Sequence, residues 1–454
     1  MSKSIKLRKG LDIRLVGEAK TVKSELTAPK MVSLKPSDFH NMTPKMVVKE
    51  GEAVKAGSIL FHNKYEESVK FASPISGTVK AIVRGEKRRI MEVLVESDGQ
   101  QSFESGSASD VSNMSSEQVK ETMLASGLWP FINQRPIDVV ADPNNDPKAI
   151  FVSAFSSAPL APDYNFLLEG KGEDFQAGLD ALAKLTAGKV HLTLNASGAS
   201  SDIFKNAKGV QINKISSKHP GGNVGTQIHH VDPINKGEFV WTVNAQDVAI
   251  IGRYFLTGKY DTSKVIALTG SEIKEPQYFE TIAGANVSEL LVDKIASDNV
   301  RVISGNVLTG DKIEQDGYLG FYHNEVTVIP EGNQLKFVAT KGWMGPGFDK
   351  FSNSRTYPTW ILPKSKKFKL DTNTNGEERA FVVTGELEKV FPFDILPMQL
   401  VKAAITDDID GMENLGIYEV APEDFALCEY VCTSKIDIQD KIRQGLDLIA
   451  SECM

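Results

Sequence analysis

The chain has 454 residues, is 41% hydrophobic and 24% charged, and carries a formal net charge of −8. That length exceeds what one growing core supports and predicts about three domains. The composition excludes a disordered chain, and the acidic balance speaks against a nucleic-acid partner.

The first residues, Met1-Ser-Lys-Ser-Ile-Lys-Leu-Arg-Lys-Gly10, are basic with no apolar stretch behind them, so no secretory signal is expected. Apolar runs such as Val248-Ala-Ile-Ile-Gly-Arg-Tyr-Phe-Leu256 fall short of the ~20 residues a membrane helix needs. No direct membrane span is expected, and membrane contact would go through a partner. Cys428, Cys432 and Cys453 lie together near the C-terminus, which offers no disulfide framework and fits a reducing compartment.

Met46-Val-Val-Lys-Glu-Gly-Glu-Ala-Val-Lys-Ala-Gly-Ser-Ile-Leu60 places apolar residues at strand positions and Gly51 and Gly57 at turns. Phe71-Ala-Ser-Pro-Ile-Ser-Gly-Thr-Val-Lys-Ala-Ile-Val83 supplies a matching second half. Together they resemble the barrel-sandwich hybrid of biotinyl and lipoyl carrier domains. In such carriers a modified lysine sits on the hairpin tip between the halves; counting back from Gly77, the tip here falls at Glu66. Lys64 is nearby but has neither carrier flank, and a structural barrel is the expected reading. A polar linker rich in Ser and Gly, Asp98 to Asp110, closes this domain.

From about Lys148 strands alternate with helices: strands at Ala149 to Phe155, Val190 to Leu194, Val210 to Ile215 and Phe239 to Val243, helices at Phe175 to Thr186 and Ala245 to Leu256. This is the rhythm of a sheet covered by helices, a Rossmann-like domain. No Gly-x-Gly-x-x-Gly follows any of these strands. Gly305-Asn-Val-Leu-Thr-Gly-Asp-Lys312 spaces its glycines like a phosphate loop, but Asp311 stands where a lysine is needed and would repel phosphate. His219, His229, His230 and Asp232 make one histidine-rich neighbourhood with no standard zinc spacing. Read as a strand, His229 and His230 point to opposite faces, so at most one joins a common site. Gly221, Gly222 and Gly225 suit a tight turn.

Lys264 to Gly270 and Val300 to Gly305 bracket a helical segment near Gly284 to Leu291, an arrangement similar to a soluble-ligand-binding β-grasp domain. Trp343-Met-Gly-Pro-Gly-Phe348 reads as an exposed aromatic loop open to a partner. The last stretch predicts short helices at Ile395 to Ile405, Pro422 to Val431 and Ile438 to Glu452. The expected architecture is therefore α+β multidomain: a barrel-sandwich hybrid over 1–100, a linker over 101–115, a Rossmann-like domain without nucleotide loops over 116–258, a β-grasp domain over 259–340, a connecting segment over 341–390 and a C-terminal helical region over 391–454.

Phe151-Val-Ser-Ala-Phe-Ser-Ser-Ala-Pro-Leu-Ala-Pro162, Lys218-His-Pro-Gly-Gly-Asn-Val-Gly-Thr-Gln-Ile-His-His-Val-Asp-Pro233, Phe239-Val-Trp-Thr-Val-Asn-Ala-Gln-Asp-Val248 and Asp424-Phe-Ala-Leu-Cys428 resemble blocks of the A subunits of bacterial Na+-translocating NADH:quinone oxidoreductases. That family is distantly similar to the C subunit of the Rnf complex and to the flavin- and NADH-binding subunit of respiratory complex I. In those relatives a glycine-rich loop cradles the flavin phosphate and an acidic block follows the next strand. Gly127-Leu-Trp-Pro-Phe-Ile-Asn-Gln-Arg-Pro136 and Ser153 to Pro159 correspond here, with Trp129, Pro130 and Phe131 where glycine is required. The relatives' iron–sulfur cluster takes four thiolates, whereas Cys428 and Cys432 offer two and Cys453 a third.

The resemblance implies a cofactor-free, catalytically silent subunit of a complex that couples electron transfer from NADH to quinone to Na+ export. FAD, FMN, the iron–sulfur centre and the NADH site are then expected on other subunits. The implied partners are the integral membrane B subunit and the remaining subunits, at the cytoplasmic face of the bacterial inner membrane as a peripheral component. Assembly, docking and help in shaping a quinone site are the expected roles, with Trp129, Phe131, Arg135, His219, Gly222, His229 and His230 as candidate quinone or subunit contacts. The alternative is a free-standing biotin or lipoate carrier.

Overall fold

The computed structural model describes residues 3–454 except 26–28, 335, 338, 340, 341 and 343. Among the described residues the chain forms four sheets and a C-terminal set of helices. The barrel is two facing antiparallel sheets. One orders the strands Met31–Leu34, Ile90–Ser97, Gly77–Arg84 and Ala53–Val54; the other orders Pro44–Met46, Ile59–Asn63 and Lys70–Ala72. Val32 and Leu34, and Val93 and Val95, are buried two apart along their strands, as period-two alternation requires.

The second domain is a seven-stranded sheet. Gln211–Ser216, Lys189–Asn195, Ala149–Ser153 and Val240–Asn244 run parallel, and Asn133–Arg135 and Val139–Val140 extend the sheet antiparallel at one edge. Ile150, Phe151 and Val152 are buried on both sides, as a strand covered on both faces should be. On one face the helices Gly172–Lys184 and Ala245–Thr257 cross with their backbones almost touching. A Cβ at Gly178 would lie 1.9 Å from the Val248 carbonyl oxygen, and one at Gly252 would lie 1.8 Å from that of Asp174. Only glycine permits that approach.

The third sheet orders Asp311–Ile313, Val300–Ser304, Glu325–Pro330, Ser263–Thr269 and Gln277–Ile282, with the short helix Ser288–Leu291 packed in its core. The strand Gln277–Ile282 is an addition to the elements expected from the sequence. The phosphate-loop lookalike is the turn joining Val300–Ser304 to Asp311–Ile313, closed by Asn306 accepting from the amides of Leu308 and Thr309.

The first thirty residues, expected within the barrel domain, contribute strands elsewhere. Ser4–Lys6 pairs in parallel with Gln211–Ser216, and Lys20–Glu25 pairs in parallel with Gln277–Ile282. The C-terminal region packs Pro397–Ile405, Ile409–Asn414, Ala426–Val431 and Ile438–Cys453 around their own core. Ile438, Ile442, Leu446 and Ile449 bury one stripe of the last helix, the spacing of an amphipathic surface helix. No helix of the described residues is long and apolar enough to cross a membrane.

Candidate functional site

Each position where a cofactor was sought is taken up by the chain's own contacts, some within a domain and some between domains. Glu66 lies in the turn joining Ile59–Asn63 to Lys70–Ala72, at the tip where a carrier lysine would sit. It accepts from the Ser68 hydroxyl at 2.6 Å and from the Asn144 side chain of the α/β domain at 3.0 Å. The Ser68 hydroxyl leads the effects that lower its pKa. Lys64 is exposed beside it and lies over the Tyr65 ring at 5.4 Å.

The segment aligned with the flavin loop begins where the helix Ser116–Ser126 ends at Gly127, which adopts a left-handed conformation at φ +77°. Trp129, Pro130 and Phe131 form a buried 3-10 turn. The Trp129 indole N–H donates to the Ala141 carbonyl at 2.7 Å, and its ring meets Trp241 edge-on at 5.3 Å. Phe131 stacks on Phe321 of the third domain at 4.7 Å, and the Tyr322 hydroxyl donates to the Pro130 carbonyl at 2.5 Å. These rings cement three domains and are fully enclosed.

The next strand, Ala149–Ser153, leads into the loop replacing the acidic block. There the Ser157 hydroxyl accepts from the Gly222 amide at 2.8 Å and shares a hydrogen bond with His219 Nδ1 at 3.1 Å, and burial pushes the His219 pKa down to about 4, keeping its ring neutral. A Cβ at Gly222 would lie 2.4 Å from the Ser157 amide nitrogen. The crevice at the carboxyl ends of the strands, where this class of sheet binds its ligands, is thus filled by the chain's own loop. A flavin phosphate does not fit: the turn where the relatives have glycine is filled by buried Trp129, Pro130 and Phe131.

His229 and His230 are not on a strand. They end the helix Val224–Val231, whose buried Ile228 and Val231 and partly buried Val224 form a helical stripe; that spacing is present in the sequence and is masked by the glycines around it. The two rings meet edge-on at 5.0 Å. His229 donates from Nδ1 to Glu419 at 2.7 Å and accepts at Nε2 from the Asp394 amide at 3.0 Å. His230 donates to the Pro392 carbonyl at 3.1 Å. Both therefore bind the C-terminal helical region. Asp232 pairs instead with Lys148 at 2.9 Å. Among the described residues no three His, Cys, Asp or Glu side chains converge as metal ligands. Cys428 and Cys432 are buried in the helical core, where burial raises the Cys428 thiol pKa, while Cys453 is exposed.

Arg135 ends the strand Asn133–Arg135 and reaches into the same C-terminal region. It donates to Asp424 at 2.7 Å, with Glu423 at 3.6 Å and Asp138 at 3.8 Å. Burial works against its charge, but the three carboxylates outweigh that and raise the guanidinium pKa.

A second buried polar cluster joins the α/β and β-grasp domains, and sequence reasoning missed it. The Gln246 side chain pairs with both backbone groups of Val265, at 2.8 and 3.0 Å. Lys264 donates to the Phe321 carbonyl at 3.1 Å. Both carboxylate oxygens of Asp247 and one of Glu325 lack partners among the described residues. Burial pushes Asp247 up to about 7, against the opposing pull of Lys264, and pushes Glu325 up to about 8. A lone acid beside the run Val248 to Ile251, or ahead of Val326-Thr-Val328, was the available signal.

These values fix a pH dependence. Folded Glu325 keeps its proton to about pH 8, whereas the unfolded chain releases it near its ordinary 4.5. Stability from this group is thus present at low pH and lost as pH rises through 8. Glu325→Gln cannot ionise, so its urea midpoint should pull ahead of the parent's from about pH 6 to about pH 9, by on the order of 3 kcal/mol. A gap that stays constant with pH would contradict a buried, neutral carboxyl.

Three family models match the chain: the NqrA N-terminal barrel-sandwich hybrid domain over residues 5–98, the NqrA second alpha/beta domain over 114–260 and the NQRA C-terminal domain over 265–315. The Na(+)-translocating NADH-quinone reductase A subunit of Neisseria meningitidis serogroup B is 39% identical over 453 residues, covering 99% of this chain and 100% of that protein. Its counterpart from Haemophilus influenzae is 38% identical over 452 residues, with the same coverage. Among solved structures, an NAD+-reducing NiFe hydrogenase in the H2-reduced state aligns at a TM-score of 0.34 and 10% identity, over 68% of this chain and 56% of its own. So slight a likeness carries no argument.

Proposed function

The chain belongs to the family formed by the A subunits of Na(+)-translocating NADH-quinone reductases, and from that premise we propose that it serves as a redox-silent docking and assembly subunit of such a complex. FAD, FMN, the iron–sulfur centre and the NADH site then belong to other subunits. This subunit sits peripherally at the cytoplasmic face of the inner membrane, against the integral membrane B subunit.

The observation that carries this reading is the use made of the old cofactor positions. Glu66 holds Asn144 across the barrel and α/β domains, Trp129 packs on Trp241 inside the α/β domain, Phe131 stacks on Phe321 of the β-grasp domain, and Ser157 closes the crevice over Gly222. Groups committed to these contacts cannot open for a flavin without losing them. What remains is a rigid body offering surface. Any help in shaping a quinone site comes through the face turned to the integral membrane partner, because the candidate rings Trp129 and Phe131 have no accessible area to give. The carrier alternative meets Glu66 at the tip, a carboxylate that cannot form the amide linkage of biotin or lipoate.

The reading is tested by tagging this chain in the bacterium that makes it and purifying from detergent-solubilised membranes. The tag should recover an assembly with Na+-stimulated NADH:quinone reductase activity, in which this chain crosslinks to an integral membrane subunit. Recovery of the chain alone, from membranes whose reductase is intact without it, would refute the proposal.

A further inference from the structure

Between Lys336 and Lys369 the chain carries eight lysines and arginines against one acidic residue, Asp349, in a protein whose formal charge is −8. Among the described residues the one helical turn there is Pro358–Trp360. The segment still folds back on itself. The Gly342 amide donates to the Phe337 carbonyl at 2.8 Å, Lys350 donates to the Gly342 carbonyl, and the Thr359 hydroxyl donates to the Lys350 carbonyl at 2.9 Å. Its far end is tied down where the Phe368 amide donates to the Arg14 carbonyl at 2.7 Å and the Arg14 guanidinium packs over Phe351 and Phe368.

Held in this way, the segment leaves large apolar side chains uncovered. Phe337, Met344, Phe348, Trp360 and Ile361 are 57–72% exposed. Trp343, the first residue of the aromatic loop anticipated from the sequence, lies outside the described residues. Soluble surfaces scatter such residues singly, and a group of them marks a contact. Several cations beside them are free: Lys336 and Lys367 pair with Asp371 and Glu18, whereas Arg355, Lys364 and Lys366 have no carboxylate partner among the described residues. The Arg355 guanidinium lies over the Trp360 ring at 5.2 Å.

Composition decides between a protein and a lipid surface. Protein interfaces are depleted in lysine and favour arginine, whose rigid fork suits fixed partners. Seven of the eight cations here are lysines. Mobile ammonium groups beside exposed indole, phenyl and thioether side chains suit a fluid layer of phosphates over hydrocarbon, where tryptophan settles at the boundary and each lysine adds long-range attraction.

We propose that residues 336–369 form a peripheral contact with an anionic phospholipid surface, with Met344, Phe348 and Trp360 at the boundary of headgroups and acyl chains and Arg355, Lys364 and Lys366 on the phosphates. This contact goes beyond docking on partner subunits and rests on the segment's own chemistry.

The test uses the full chain and vesicles of phosphatidylglycerol or of phosphatidylcholine. Co-sedimentation should occur with phosphatidylglycerol, weaken as salt is raised, and fall about tenfold or more when Lys364→Glu and Lys366→Glu are combined. In a Trp343→Phe chain, bromine-labelled acyl chains should quench Trp360, because Trp129 and Trp241 are only 0% and 2% exposed. The substituted residues lie on the surface, so thermal melts should match the parent and exclude misfolding. Equal binding to both lipids, no binding at low salt, or indifference to charge reversal would each overturn the proposal. So would a chain that ignores vesicles yet crosslinks through Lys364 to a membrane protein of the complex; that result would leave the docking function standing. Vesicle binding by a chain that never joins the complex would do the opposite.

Discussion

Arg135→Met should destabilise the protein by about 3–5 kcal/mol, the usual cost of stranding a buried charge. The Arg135 side chain is 2% exposed and that of Asp424 is 0% exposed. Without the guanidinium, Asp424 keeps only the Ala421 amide at 2.9 Å and must either take up a proton or admit water. This pair connects the edge of the seven-stranded sheet to the turn Pro422–Phe425 of the helical region. The C-terminal helices should therefore become sensitive to limited proteolysis before the rest of the chain unfolds. Pairing Arg135→Met with Asp424→Leu should recover much of the loss, because an apolar pair demands no compensation. If the single variant melted within about 0.5 kcal/mol of the parent, the pair would not be what joins these domains.

Trp129→Ala is expected to cost a similar amount, about 3–5 kcal/mol, through the lost transfer of the indole and the cavity it leaves. The Ala141 carbonyl would lose its indole donor, and Trp241 would lose its edge contact. Urea unfolding followed by circular dichroism gives the magnitude. The same variant should still bind no FMN in equilibrium dialysis, since Pro130 and Phe131 still occupy the turn where a phosphate needs glycine. Tight flavin binding by Trp129→Ala would show that the aromatic loop alone blocks an otherwise intact site.

Much of the fold is legible in the sequence because each domain states its period locally. The alternation around Met46 to Leu60 forecasts the barrel, and counting from Gly77 places Glu66 at the observed tip. The apolar runs at Ala149, Val190 and Val210 are adjacent parallel strands. Trp129 and Phe131 read as obstacles to a phosphate, and both are enclosed. The misreading of His229 and His230 comes from glycines that weaken any helix signal, although the stripe Val224, Ile228 and Val231 carries one.

What stays hidden depends on distant partners. Gln277-Tyr-Phe-Glu-Thr-Ile282 spaces its polar residues Gln277, Glu280 and Thr281 out of a period-two pattern, which suits an exposed loop as well as a strand between two neighbours. Asp247 looks like the polar face of a helix until the β-grasp domain is laid over it. No local pattern says that Glu325 will be covered by another domain, and burial alone sets its charge state.

The strands Ser4–Lys6 and Lys20–Glu25 impose an order on synthesis. Each leaves the ribosome ahead of its partner, Gln211–Ser216 or Gln277–Ile282, and must wait through the making of the barrel and much of the sheet. Nascent chains in which residues 31–97 have emerged but residues 211–216 have not would hold a finished barrel with both of these strands unpaired. The domains can therefore mature one after another, but the molecule locks only when these two early strands are claimed by partners made more than two hundred residues later.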